Sequence, residues 1–173
     1  DDGDKVRDGK DYTAEQFKAF IKHFGLDGTD GLMKYRAYET WGNHDGPPIG
    51  KSKKSKLSFQ AELIKRNAIR KKKGWLTNLS DNGLHYSWDF DDVHLVSLGF
   101  YPADVQHAKV RYNPVWHNPQ NALAFLKKDL AKCVGDSGRP VVLMSHAGQD
   151  TNWCHPDDWK AVYAATKKYN IVL

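Results

Sequence analysis

Three polar side chains in immediate succession, Asn43, His44 and Asp45, stand between two glycines, Gly42 and Gly46. Together they offer an oxygen ligand, a proton donor and a carboxylate able to hold an imidazole in register. The flanking glycines give the backbone the freedom that a sharp turn requires. Far along the chain, His146 follows the apolar run Val141-Val-Leu-Met144. A histidine just past a buried strand sits where loops present ligands and catalytic groups.

The surrounding sequence indicates the elements that would position these residues. Tyr35–Trp41 reads as a strand running into the Gly42–Gly46 loop. Ahead of it, Thr13-Ala-Glu-Gln16 has capping-box spacing, Phe17, Phe20, Ile21 and Phe24 repeat on one helical face, and Gly25 supplies the stop. Asp27–Gly31 is a turn-rich connection. After Ser80-Asp-Asn-Gly83, two strands, 84–90 and 93–100, are joined at Asp91-Asp92 as an antiparallel hairpin. Pro119, with Asn118 as N-cap, opens a helix whose stripe is Leu123, Leu126, Leu130 and Val134, ended by Gly135 and Gly138. Val141–Met144 is of the parallel, covered type. Pro156-Asp-Asp158 starts a helix turning Trp159, Val162, Tyr163 and Thr166 inward, and a last strand spans Asn170–Leu173.

Charge is concentrated in one place. Residues 51–73 hold ten of the 26 basic side chains and one of the 21 acids, so the net +5 belongs to this segment and the remainder is mildly acidic. Leu57, Ala61, Ile64 and Ala68 recur at helical spacing, which makes 51–73 a basic helical insert. Either it is a solvated face, or its field draws in a phosphate-bearing substrate or another anionic partner. The lysines are not interleaved with aromatic residues, which argues against sequence-specific nucleic-acid binding.

The 173 residues, 40% of them hydrophobic, suffice for a single domain with a sizeable core. No apolar run reaches the roughly 18 residues of a membrane helix, so no transmembrane segment is expected. Cys133 and Cys154 form no Cys-x-x-Cys pair and are too few for a disulfide framework, so no localisation follows from them. His85 and His94 fall inside strands, where packing or a hydrogen bond competes with a role in a site. His23 reads as a surface residue. His107 and His117 lie in the long 101–119 connection, and His155 in the 149–156 loop, both placed to form a rim.

Gly42-Asn43-His44-Asp45 resembles the GNH(D/E) motif of the calcineurin-like metallophosphoesterases. Val141–His146 is similar to that family's strand ending in a metal-binding histidine, and 83–98 to its central hairpin. The resemblance covers about residues 30–173. It implies an α/β fold in which a layered β-sandwich is flanked by helices, with two divalent or mixed-valence metal ions (Mn, Fe or Zn) at the strand ends. It makes Asn43 and His146 metal ligands, His44 the proton donor to the leaving oxygen, and Asp45 the partner that orients His44. The substrate would be a phosphomonoester or phosphodiester. The family's Asp-x-His and Gly-Asp are not found ahead of Gly42, and its closing Gly-His-x-His is not found after the last strand. The chain is therefore expected to be the middle of such a domain, truncated at both ends and inactive alone.

Overall fold

Period-two alternation of Tyr86, Trp88 and Phe90, and the turn residues on either side of it, dictate the hairpin around which the fold forms. The computed structural model describes residues 6–7, 10–11, 13–42, 45, 59–104, 118–148 and 154–172. In chain order these form β1 (Val6–Arg7), β2 (Lys10–Asp11), α1 (Thr13–Phe24), α2 (Phe59–Lys72), β3 (Asn78–Leu79), β4 (Tyr86–Phe90), β5 (Val93–Ser97), α3 (Ala122–Asp129), a π-helical turn (Leu130–Val134), β6 (Val141–Met144) and α4 (Pro156–Thr166). β3, β4, β5 and β6 make one mixed sheet in that order. The β4–β5 hairpin is antiparallel, whereas β5 and β6 run parallel with Ser97 opposite Met144. This is a mixed α/β fold, as expected. Among the described residues the only other ladder is the short β1–β2 pair, so one layer of the expected sandwich is present. No described helix is long and apolar enough to cross a membrane.

The core lies between the sheet and α3–α4. Val96, Val141, Leu123, Leu126, Leu130, Val134 and Val162 are buried there, the stripe read from sequence. Each such side chain contributes on the order of 2 kcal/mol. Tyr163 departs from the expected pattern, since it is largely exposed while Val162 and Thr166 turn inward. The helix at 119 also starts later than Pro119 suggests. Asn118 Oδ1 accepts from Gln120 N–H at 2.9 Å, while Asn121 is the N-cap. The final strand is reduced to a parallel bridge between Val141 and Ile171.

α1 ends where Gly25 takes a left-handed φ of 59° and donates its N–H to Ile21. The capping box does not close, because Gln16 Oε1 is buried with no hydrogen-bond partner. Phe17 meets Phe59 edge-on at 5.0 Å, joining α1 to α2.

A charged group is buried on the α3 face of the sheet. His94 places Nδ1 2.7 Å from Asp89 and Nε2 2.7 Å from Asp129, which also accepts from Ser87 and Asn78. Burial alone would lower the His94 pKa, but the two carboxylates outweigh it and raise it. A raised folded-state value adds stability that is complete below the unfolded pKa, about 6.5, and is lost as pH climbs through the folded value. His94→Asn should therefore cost about 3–5 kcal/mol at pH 6 and clearly less at alkaline pH. Urea unfolding at the two pH values measures this, and an equal cost at both would remove the imidazole charge from the account.

Candidate functional site

The segment ahead of Gly42 was expected to be a strand and is not one. Residues 36–42 join no sheet, because side chains rather than a neighbouring strand satisfy the backbone. Arg70 donates to the Ala37 carbonyl at 2.6 Å, and the Tyr86 hydroxyl to the Glu39 carbonyl at 2.6 Å. Tyr38 lies flat on Trp88 with ring centroids 4.3 Å apart. The Glu39 carboxylate pairs with both Arg66 and Arg70 of α2. Arg66 also donates to the Gly25 carbonyl, and Arg70 to the Asn67 side chain at 2.9 Å.

This anchoring reverses the expected orientation of α2. Leu63, Arg66, Asn67 and Arg70 are buried, while Ala61, Ile64 and Ala68 face solvent. Two cations of the basic insert thus serve the interior. Lys71 is also engaged, on the Thr77 carbonyl at 2.9 Å, which leaves less of the helix free for an anionic partner. Residues 51–58, with four more of its lysines, lie outside the described residues.

Two glycines then let the site close. Hydrogen bonds from Leu98 to Met144, His146 to Gly99 and Ala147 to Phe100 continue the β5–β6 pairing past the strand ends. They carry His146 alongside Gly99, and its ring lies near-parallel to that of Phe100 at 5.9 Å. Gly42 faces the same imidazole so closely that a Cβ there would lie 2.8 Å from both Nδ1 and Cε1. Gly99, with φ of 68°, packs against the Trp41 indole, and a Cβ would come within 2.2 Å of Nε1. Asp45 closes back on this contact. It is buried, its N–H reaches the Gly42 carbonyl at 3.2 Å, and its Oδ2 accepts from Gly42 N–H at 2.7 Å.

The two stretches singled out by residue type, around Gly42 and around His146, therefore meet at the carboxyl ends of β5 and β6. Burial lowers the His146 pKa and the Asp45 carboxylate pulls the other way, with burial prevailing. A neutral imidazole beside a carboxylate can accept a proton, donate a hydrogen bond or ligate a metal. Asn43 and His44 lie outside the described residues. Among the described residues no group of three or more His, Cys, Asp or Glu could hold a metal ion.

The other histidines are placed as structural groups. His85 is buried, donates from Nε2 to the Gln120 carbonyl at 2.9 Å, and is pushed by burial down to about 4. His94 belongs to the ion network under α3, and His23 is exposed. His155 caps α4, accepting at Nδ1 from Asp157 N–H at 3.2 Å. His107 and His117 lie outside the described residues. Sequence reasoning missed Glu39, Arg66 and Arg70. The available signal was an acid three residues ahead of Gly42, together with two arginines four apart. Comparison with protein-family models, with curated proteins and with solved structures gives no match to the chain.

Removing the carboxylate strands two buried guanidinium groups, so Glu39→Gln should cost about 3–5 kcal/mol in denaturant unfolding. A change under 1 kcal/mol would mean that the arginines are solvated. Gly42→Ala should displace the His146 ring and cost about 1–3 kcal/mol. Imidazole nitrogen chemical shifts read the displacement, and unchanged shifts would contradict the contact.

Proposed function

We propose that the chain carries part of the active site of a calcineurin-like metallophosphoesterase, hydrolysing a phosphomonoester or phosphodiester. One observation carries the reading: Gly42, in the stretch that resembles one motif of that family, packs directly on His146, in the stretch that resembles another. Contact between two such stretches is what a shared site demands.

The donor set suits the metals proposed. Burial lowers the His146 pKa, which favours the neutral form in which imidazole ligates, and Asn43 would add an amide oxygen. When bound, the two cations would lower the pKa of the attacking water and neutralise phosphoryl charge. The residues of this chain have separate tasks. His44 would donate a proton to the leaving oxygen. Asp45, assigned to orient His44, also fixes the turn through Gly42 N–H. The rigid β5–β6 extension would keep His146 in place.

The finer fold belongs to the same proposal. The sheet face bearing Trp88, Phe90 and Leu95 is covered in part by Tyr38, with Phe90 70% exposed. A face this apolar suits the second layer of a β-sandwich. Two ligands alone cannot hold a dinuclear cluster, since affinity depends on complete coordination.

The 173 residues by themselves should therefore show no hydrolysis of an aryl phosphate with added Mn²⁺, and turnover would overturn the ligand count. In a polypeptide extended at both ends, His44→Ala should keep its metal and lose about 10²–10⁴ in rate. Asn43→Ala should lose both metal and rate. Metal analysis beside an aryl phosphate assay separates the two, and wild-type values in both variants would refute the assignment.

A further inference from the structure

At the opposite edge of the sheet from β6, the turn joining β3 to β4 and the start of α3 enclose a groove of about 450 Å³. Its size falls in the range of small-molecule sites, roughly 300–1,000 Å³. Its lining is polar, with Asp81, Asn82, Gln120, Asn121, Lys128 and Lys132 around an apolar floor. Asn82 ties the two walls together, donating from Nδ2 to the Gln120 carbonyl at 2.8 Å. Among the described residues the side chains of Asp81, Gln120, Asn121, Lys128 and Lys132 make no hydrogen bond or ion pair. Asn121 is the N-cap of α3 yet makes no side-chain capping bond, and Asp104 instead accepts from Ala124 N–H at 2.7 Å. Lys128 and Lys132 stand one turn apart on the exposed side of α3 and the π-helical turn, with no carboxylate paired to either among the described residues.

Gln120 and Asn121 adopt left-handed φ angles of 57° and 63° in succession. Asparagine enters this region more readily than other side chains, so the unusual residue is Gln120, at a cost on the order of 1–2 kcal/mol. Such strain tends to persist where a ligand clamp needs it. Here it turns an amide-bearing corner toward two lysines.

We propose that this groove binds a phosphorylated sugar. The lysine pair would take the phosphate, and the amides of Gln120 and Asn121 the hydroxyls. Asp81 at the rim would favour the polyol end over a second anion. The site is separate from His146 and stands whether or not the chain hydrolyses phosphate esters.

Calorimetric titration of the metal-free protein in chelator and low salt tests this, with glucose 6-phosphate, glucose and inorganic phosphate as probes. Glucose 6-phosphate should bind at one site, and more tightly than either other probe. Lys128→Ala/Lys132→Ala, checked for folding by circular dichroism, should weaken it at least about tenfold, the loss of one charge-assisted hydrogen bond. Asn121→Gly keeps the left-handed backbone accessible, so it should unfold no more readily while binding more weakly. His146→Ala should bind as wild type. Absence of binding overturns the proposal. Equal binding of inorganic phosphate would show an ion site only. Loss in His146→Ala with retention in the lysine variant would assign the ligand to the phosphoester site and overturn the groove.

Discussion

The Glu39 carboxylate stands between the Arg66 and Arg70 guanidinium groups, and the position of the candidate site depends on that arrangement. Two cations and one anion taken out of water are costly, and Coulomb attraction alone recovers the cost poorly. The residual positive charge is met by the carbonyls of Gly25 and Ala37 and by the Asn67 side chain. Asn67 in turn donates to the Gly83 carbonyl at 2.9 Å. The network therefore joins the end of α1, the segment leading to Gly42, α2 and the turn before β4. Without a strand to hold it, that segment is fixed by side chains donating to its carbonyls. Its reach is what delivers Trp41 and Gly42 to the sheet end.

Close approach then depends on missing side-chain atoms. Gly99 receives the Trp41 indole and Gly42 receives the His146 ring, so two backbones and two rings interleave where any Cβ would collide. Gly99 is doubly constrained, since its φ of 68° is also one that other residues avoid. The buried Asp45 completes the turn by accepting from Gly42 N–H, which brings a carboxylate whose charge acts on the imidazole.

Much of this fold could be read from the sequence where apolar periodicity sets the structure. The β4–β5 hairpin, the stripe of α3 and the parallel strand β6 all follow from it, and His146 lies beyond β6 as expected. The readings that failed concern buried charge. In α2, Ala61, Ile64 and Ala68 have the spacing of a core face, yet the structure buries Arg66 and Arg70, because a distant Glu39 offers more than the small apolar side chains would gain. Hydropathy ranks an arginine as solvent-facing and cannot register a partner 31 residues away. The strand expected at 35–41 failed for a related reason. Its alternation is that of a strand, but its carbonyls were claimed by Arg70 and Tyr86.

Asp129 shows the same limit within a stripe that was read correctly. It lies fully buried between Leu126 and Leu130, an acid on an apolar helix face. His94, from β5, meets it, and Asp89 and Arg139 extend the chain of charges to the surface. Just beyond, the backbone widens into a π-helical turn in which Gly135 N–H reaches the Leu130 carbonyl at 2.9 Å. The two buried clusters therefore balance charge in different ways. The Glu39 cluster gathers excess cation and relies on carbonyl dipoles to meet it. The His94 cluster sets one imidazole between two carboxylates and relies on a proton, so its strength changes with pH.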